Sequence, residues 1–236
     1  MLILVGLSPL KASTTEFRIA GQAQDRASVR IEFELTESIE QKRIRLYRST
    51  HHISSDTLDP ILYPLVTFEL TSQDVNTGFL DRSTAQNVTY YYMAAVVSEN
   101  TEAICSNIIA IATPGVELPQ LTQPEIWIDK IHYFLEIRDL GKFAKRYPII
   151  LGWDPLKRKL HQDFATTPDG LYRVTNRKLR STFRHAFDID YPNSTDRVRY
   201  DLLKSAGKVP AGKSIGGDIQ IHGQLRKWRL ERNWRR

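Results

Sequence analysis

Residues 28–35 read SVRIEFEL, polar and apolar by turns. A period of two puts one face of a strand in a core and the other in water, so this chain is committed to sheets rather than to a helical bundle. Residues 43–48 (RIRLYR) repeat the pattern. Three further runs, 65–70 (LVTFEL), 88–97 (VTYYYMAAVV) and 107–113 (NIIAIAT), are short, rich in branched and aromatic residues, and bounded by turn formers. Short strands at this spacing predict an antiparallel sandwich over residues 1–113. The extreme N-terminus, MLILVGL, reads as a first β-strand, with a clipped secretory remnant as the other reading, because no positive side chain precedes its short apolar stretch.

Several features of this half keep a recognisable order: Phe79-Leu80-Asp81, then NVTYYY from Asn87 to Tyr92, then Ser106-Asn107, and the closing Ala112-Thr113-Pro114. The segment resembles a fibronectin type III or related immunoglobulin-like module, which implies a spacer or a binding platform. A tyrosine among Tyr90, Tyr91 and Tyr92 is expected to form a tyrosine corner, its hydroxyl meeting a backbone group upstream. Cys105, the single cysteine of the chain, also lies here. It excludes an internal disulfide and a thiolate metal site, and it reads as a small, buried, inert thiol. The six histidines show no H-x-x-x-H spacing, so no metal centre is expected.

Residues 114–124 (PGVELPQLTQP) hold three prolines, which stiffen the chain and interrupt ladder pairing. This is the expected linker, and the charge changes sign beside it. Residues 1–120 carry 9 Lys and Arg against 14 Asp and Glu, a net −5; residues 121–236 carry 24 against 13, a net +11. Opposite signs in the two halves predict two domains with different roles, 1–113 and 125–236. With 41% hydrophobic and 25% charged residues among 236, the chain can bury a core, and no run approaches the ~18 apolar residues of a membrane span.

Strand patterns resume at 125–129 (EIWID), 131–137 (IHYFLEI) and 142–151 (KFAKRYPIIL), with turns at Asp129-Lys130 and Leu140-Gly141. Thr167-Pro168-Asp169-Gly170 is a tight turn, followed by strands at 171–174 and 186–191. One helix is expected at about 195–206, with Asn193 or Ser194 as its N-cap and Gly207 as its stop. The fold class predicted is therefore mainly β: an immunoglobulin/fibronectin III-like sandwich, then a β-rich domain with one short helix.

Four groups of residues in this second half carry a more specific signal. The first is Ile128-Asp129-Lys130 with FLEI from Phe134 to Ile137, then Gly141-Lys142, Tyr147-Pro148 and LGWDP from Leu151 to Pro155. The second is Lys157-Arg158-Lys159 through Asp163 to TPDGLY, Thr167–Tyr172. The third is FDIDYPN, Phe187–Asn193, followed by Asp196. The fourth is GGDIQIHG, Gly216–Gly223. Together, over about residues 125–234, they resemble the YkuD-type L,D-transpeptidase catalytic domain. The resemblance implies a cysteine acyltransferase of the bacterial envelope or periplasm, active in peptidoglycan cross-linking, cell-wall organisation and cell shape. A thiolate would attack a stem peptide to form a thioester, and an amine would resolve it. No cofactor is implied, and the partner is a peptidoglycan stem peptide rather than nucleic acid. His222 matches the family's proton donor/acceptor, with Gly216, Gly217, Asp218 and Gly223 as supporting backbone.

The residues themselves agree with that role. DIQIH alternates, which predicts Asp218, Gln220 and His222 on one strand face, opposite Ile219 and Ile221. Gly216-Gly217 would permit a close backbone approach or a bulge. The family's nucleophile belongs to a Gly-Cys motif about fifteen to twenty residues after this histidine, beyond an Asp/Asn-Trp pair. Here Asn233-Trp234 is followed by Arg235-Arg236, and no Gly-Cys occurs. The expectation is a C-terminally incomplete domain without transpeptidase activity of its own; a non-catalytic peptidoglycan- or protein-binding module is the alternative. The basic, tryptophan-containing tail 224–236 reads as a solvated end. His51-His52 reads as a solvated pair and His132 as facing outward from a strand. His161 and Asp163 fall in a loop the family places near substrate, and Asp188 with Asp190 reads as a solvated face rather than a carboxylate dyad.

Overall fold

The computed structural model describes residues 17–36, 43–53, 64–97, 104–152, 154–164, 166–181 and 183–223. The expected N-terminal strand and the basic tail lie outside the described residues. The protein is mainly β, as the alternation requires, and divides into two compact units, Met1–Ile150 and Leu151–Arg236.

In the first unit, strands β1 (Phe17–Asp25), β2 (Ser28–Leu35), β3 (Arg43–Ser49) and β4 (Val66–Leu70) precede a short helix α1 (Ser72–Thr77). Strands β5 (Phe79–Asp81), β6 (Thr89–Val97), β7 (Ile104–Cys105) and β8 (Ile109–Ala112) follow it. One antiparallel sheet runs β1-β2-β5. The other runs β4-β3-β6-β7, with β8 also on β6. Alternate residues of both sheets, Val29 and Ile31 from one and Ile44, Leu46, Tyr92 and Ala94 from the other, are almost fully buried in a shared core. This is a two-layer sandwich with the inward-outward alternation seen in the sequence.

Elements β1, α1, β5 and β7 escaped the sequence reading, β1 and α1 for local reasons. In β1 the inward positions are Phe17, Ile19 and then Gly21, so the apolar signal fades after two steps. A Cβ at Gly21 would come within 2.7 Å of the Arg30 carbonyl oxygen, so the close approach of β2 requires glycine there. Helix α1 begins with a capping box, in which the Asp74 amide donates to Thr71 Oγ1 (3.2 Å) and the Thr71 amide to Asp74 Oδ2 (2.9 Å). It is six residues long and carries a single buried side chain, Val75, which is too little for a periodicity to register.

The expected tyrosine corner is present. The Tyr90 hydroxyl accepts a hydrogen bond from the buried Ala85 amide at 2.8 Å. Phenylalanine at position 90 would leave that amide unpaired, and urea unfolding is expected to show a loss of about 1–3 kcal/mol.

The second tyrosine of the pair, Tyr92, belongs to a buried charge cluster. Arg48 Nη1 donates to Asp81 Oδ2 and to Ser83 Oγ, each at 2.6 Å, while Tyr92 donates to Asp81 Oδ2 at 2.9 Å. The Ser83 amide and hydroxyl serve the other carboxylate oxygen. Burial works against ionisation of Asp81, but Arg48 and Ser83 outweigh it and hold the carboxyl below its usual range.

Strands β9 (Pro124–Asp129), β10 (Phe134–Asp139) and β11 (Lys142–Pro148) form a three-stranded antiparallel sheet in the order β11-β10-β9. Leu140 and Gly141 both have positive φ, 50° and 74°, which supplies the twist of the two-residue hairpin predicted there. The expected strand 131–137 starts later, at Phe134. Asp129 Oδ1 accepts from the Ile131 and His132 amides (2.8 and 2.9 Å), closing a turn that competes with the ladder.

This sheet, read from sequence as the start of the second domain, lies in the same compact unit as the sandwich. Arg146 of β11 pairs with buried Glu136 and also donates to the carbonyls of Arg82 (2.7 Å) and Thr84 (3.0 Å). Its own amide donates to Gln86 Oε1 at 2.8 Å. Arg48 Nη2 reaches the His132 carbonyl at 2.8 Å. The proline-rich segment is tied down as well: Lys145 donates to the Val116 carbonyl, and Asp139 accepts from the Thr122 and Gln123 amides. The compact units therefore part after Ile150, and the expected linker 114–124 falls within the first of them.

The second unit holds β12 (Val174–Ser181), β13 (Arg184–Ile189), helix α2 (Ser194–Ser205) and β14 (Gln220–His222), with sheet order β12-β13-β14. Asn193 caps α2 as predicted: its Oδ1 accepts from the Asp196 amide, and Asp196 Oδ2 accepts from the Asn193 amide, both at 3.1 Å. Gly207, with φ +67°, lies just past the helix end. Residues 171–173 are not strand. Tyr172 turns instead to donate to Asp196 Oδ1 at 3.1 Å, over Gly170, where a Cβ would touch its hydroxyl at 2.8 Å. Burial and the neighbouring Asp196 carboxylate push the Tyr172 hydroxyl well above its usual pKa.

Candidate functional site

His222 ends β14, the third strand of its sheet, opposite Ala186 of β13. Gln220 is two residues earlier on the same face, opposite Asp188, and Asn176 and Lys178 face Asp188 and Ala186 from β12. One face of the sheet thus carries a polar platform centred on Asp188. Its carboxylate accepts from Gln220 Nε2 (2.6 Å), Lys178 Nζ (2.9 Å) and Asn176 Nδ2 (3.1 Å). The hydrogen bond from Lys178 is the leading cause of the lowered Asp188 pKa, helped by Gln220 and Asn176 and opposed by burial. Asp190 is engaged elsewhere, accepting from the Arg173 amide at 2.9 Å.

The His222 ring is exposed and makes two defined contacts. Nδ1 lies 2.9 Å from the Gly223 carbonyl oxygen. A carbonyl oxygen can only accept, so this contact is a hydrogen bond when the proton is on Nδ1. The ring also stacks on Phe183, with centroids 3.8 Å apart and planes 23° from parallel. Gly223 is fixed by its amide, which donates to the His185 carbonyl at 3.2 Å.

The glycines expected to support the site divide by role. Gly216 has φ +81°, and a Cβ there would press on Gln162 Cα and Cβ at 3.1 Å, so glycine is required for a close approach to the 161–163 loop. Gly217 has open space around the same position and makes no such approach. Asp218 departs from its predicted place on the strand face. It is exposed, has φ +55° and precedes β14, which begins only at Gln220. A left-handed residue breaks the alternation, so only Gln220 and His222 share the face.

The segment leading into Gly216 is held from several sides. Gln162 donates its amide to the Ser214 carbonyl (2.7 Å), and Lys213 pairs with Asp163 (2.9 Å). The hydroxyls of Tyr191 and Tyr200 donate to the Ile215 and Lys213 carbonyls at 3.2 and 2.6 Å. His161 turns Nδ1 onto the Gln162 carbonyl and packs against Phe164. The 161–163 loop thus braces the segment before His222.

Other sequence assignments change. Cys105, expected to be buried, is exposed at the end of the two-residue strand β7. His132 does not face outward from a strand. It sits in the 130–133 turn, hydrogen-bonded through Nδ1 to Asp129 Oδ2 at 2.8 Å and stacked near Phe68 and Phe134. His52 packs edge-on to Tyr91. Among the described residues, no group of three or more His, Cys, Asp or Glu side chains could hold a metal, and no helix is long and apolar enough to cross a membrane. Sequence reasoning missed Phe183 and the Asp188 platform. The pairing of β13 with both β12 and β14 creates them, and no local motif announces it.

No family model matches the sequence, and no curated protein matches it.

Proposed function

We propose that this chain belongs to the YkuD-type L,D-transpeptidase family of the bacterial cell envelope, with His222 as its proton donor/acceptor and peptidoglycan stem peptides as its ligands. The ordered succession of motifs from Ile128 to Gly223 carries the reading. The geometry of His222 supports it: an accessible imidazole, with its Nδ1 against a backbone carbonyl, offers Nε2 to an incoming thiol or amine. In the proposed reaction the imidazole takes the thiol proton as the sulfur attacks, returns a proton to the departing D-residue amine, and then deprotonates the acceptor amine.

These 236 residues contain one thiol, Cys105 of β7, and no Gly-Cys pair. The polypeptide is therefore expected to bind stem peptides without turning them over. The test pairs a pull-down on purified sacculi with intact-mass spectrometry after exposure to a tetrapeptide stem and to a carbapenem. Retention on sacculi, no acyl adduct and no released D-alanine are expected. Absence of retention would overturn the assignment, and an adduct with turnover would overturn the inactivity.

The second reading, a non-catalytic peptidoglycan- or protein-binding module, draws on the same absence of a Gly-Cys pair. It differs in where the ligand sits. His222→Asn should weaken retention several-fold if the stem peptide is held at His222, and should leave it unchanged if another surface binds.

A further inference from the structure

We infer that Phe183 is a positioning residue for His222, holding the imidazole so that Nδ1 stays on the Gly223 carbonyl and Nε2 is the nitrogen presented for proton transfer; this rests on the transpeptidase reading of His222. An exposed histidine at a strand end has several open rotamers, and a hydrogen bond to its neighbour's carbonyl competes with water on nearly equal terms. Something else must choose the orientation. Phe183 supplies it by covering one face of the ring at a centroid distance of 3.8 Å.

The backbone keeps the two rings in register. Phe183 lies in the turn between β12 and β13, where its amide donates to Ser181 Oγ (3.0 Å) and its carbonyl accepts from the His185 amide (2.9 Å). The His185 carbonyl in turn accepts from the Gly223 amide at 3.2 Å. A Cβ at position 223 would lie 3.3 Å from the Phe183 carbonyl oxygen, tighter than usual contact, so glycine lets the turn sit against the end of β14. The stacking partner and the hydrogen-bond acceptor of His222 are thus fixed to the same short stretch of backbone. The stack confines the ring to one plane, and within that plane the Gly223 carbonyl favours the flip that brings Nδ1 to it over the flip that brings Cδ2.

The test is the tautomer of His222 in the full chain, read from the imidazole nitrogen and Cε1–H resonances well above the usual histidine pKa of ~6.5. Those resonances are assigned by their loss in His222→Asn. A solvent-exposed histidine side chain favours the Nε2–H form. The wild-type chain is expected to show mainly Nδ1–H, with the ring proton moved upfield by the Phe183 ring current. Phe183→Leu should lose the upfield shift and return to mainly Nε2–H, and Phe183→Tyr should retain both. Amide spectra of α2 report whether each variant is folded; if leucine unfolds the unit, Phe183→Met, which keeps bulk without a ring, takes its place. A folded leucine or methionine variant with wild-type tautomer and shift overturns the inference, as does a wild-type ring without the upfield shift. Neither result bears on retention by sacculi, so the two readings fail separately.

Discussion

Arg48→Ala should cost the first unit about 3–5 kcal/mol, the penalty for stripping one partner from a buried ion pair. Asp81 is 1% exposed and Arg48 2%, so neither can turn to water when the other is lost. The remaining donors, Ser83 and Tyr92, were already engaged and cannot replace a full positive charge. The guanidinium also lies 5.0 Å from the Tyr90 ring centroid and 5.6 Å from that of Phe68, so truncation opens a void among aromatics. Urea unfolding followed by tyrosine and tryptophan fluorescence measures the loss. Arg48→Met should be nearly as damaging, because it leaves the carboxylate unpaired. Adding Asp81→Leu to Arg48→Met should recover part of the loss; a double variant no better than the single would show that packing, not charge, sets the cost. The same pair predicts a pH dependence. Because the Asp81 pKa is lowered on folding, its stabilising contribution is complete above about pH 4 and disappears as pH falls through the lower folded value.

Arg146→Ala should cost about 3 kcal/mol and do so selectively. Its guanidinium neutralises Glu136, which is 4% exposed, and caps two carbonyls of the loop before β6. Arg138 remains as a second partner of Glu136 at 2.6 Å, which keeps the cost below that of a wholly orphaned carboxylate. The arginine also lies 4.1 Å from the Phe134 ring centroid, so the sheet loses packing along with hydrogen bonds. Hydrogen exchange should then accelerate across β9, β10 and β11 while β3 and β6 stay protected. Uniform acceleration through the whole first unit would mean that the small sheet has no independent opening.

Five of the eight described strands of the sandwich, β2, β3, β4, β6 and β8, were legible because their signal is local. SVRIEFEL and RIRLYR name their own faces, and β2 and β3 follow them almost to the residue. The α2 cap was equally plain, since Asn193 and Asp196 are three residues apart and satisfy each other. Strand β1 was hidden because its third inward residue is Gly21, whose purpose shows only when the Arg30 backbone is beside it. Residues 171–173 look like strand but serve a distant carboxylate. For the candidate site, the motif located His222 and the glycine at 216, but it could not say that Asp218 turns left-handed or that Gly217 is unconstrained.

By itself the sequence determined that this protein is built of antiparallel strands, where most of them run and how the α2 helix is capped. All of these follow from periodicities and pairings that close within a few residues. The tertiary structure alone decided that β9–β11 joins the sandwich unit, through Arg146 and Arg48, and that Phe183 rests on His222. Those contacts bridge segments far apart in the chain, and a buried charge or a stacked ring has no partner until the fold delivers one.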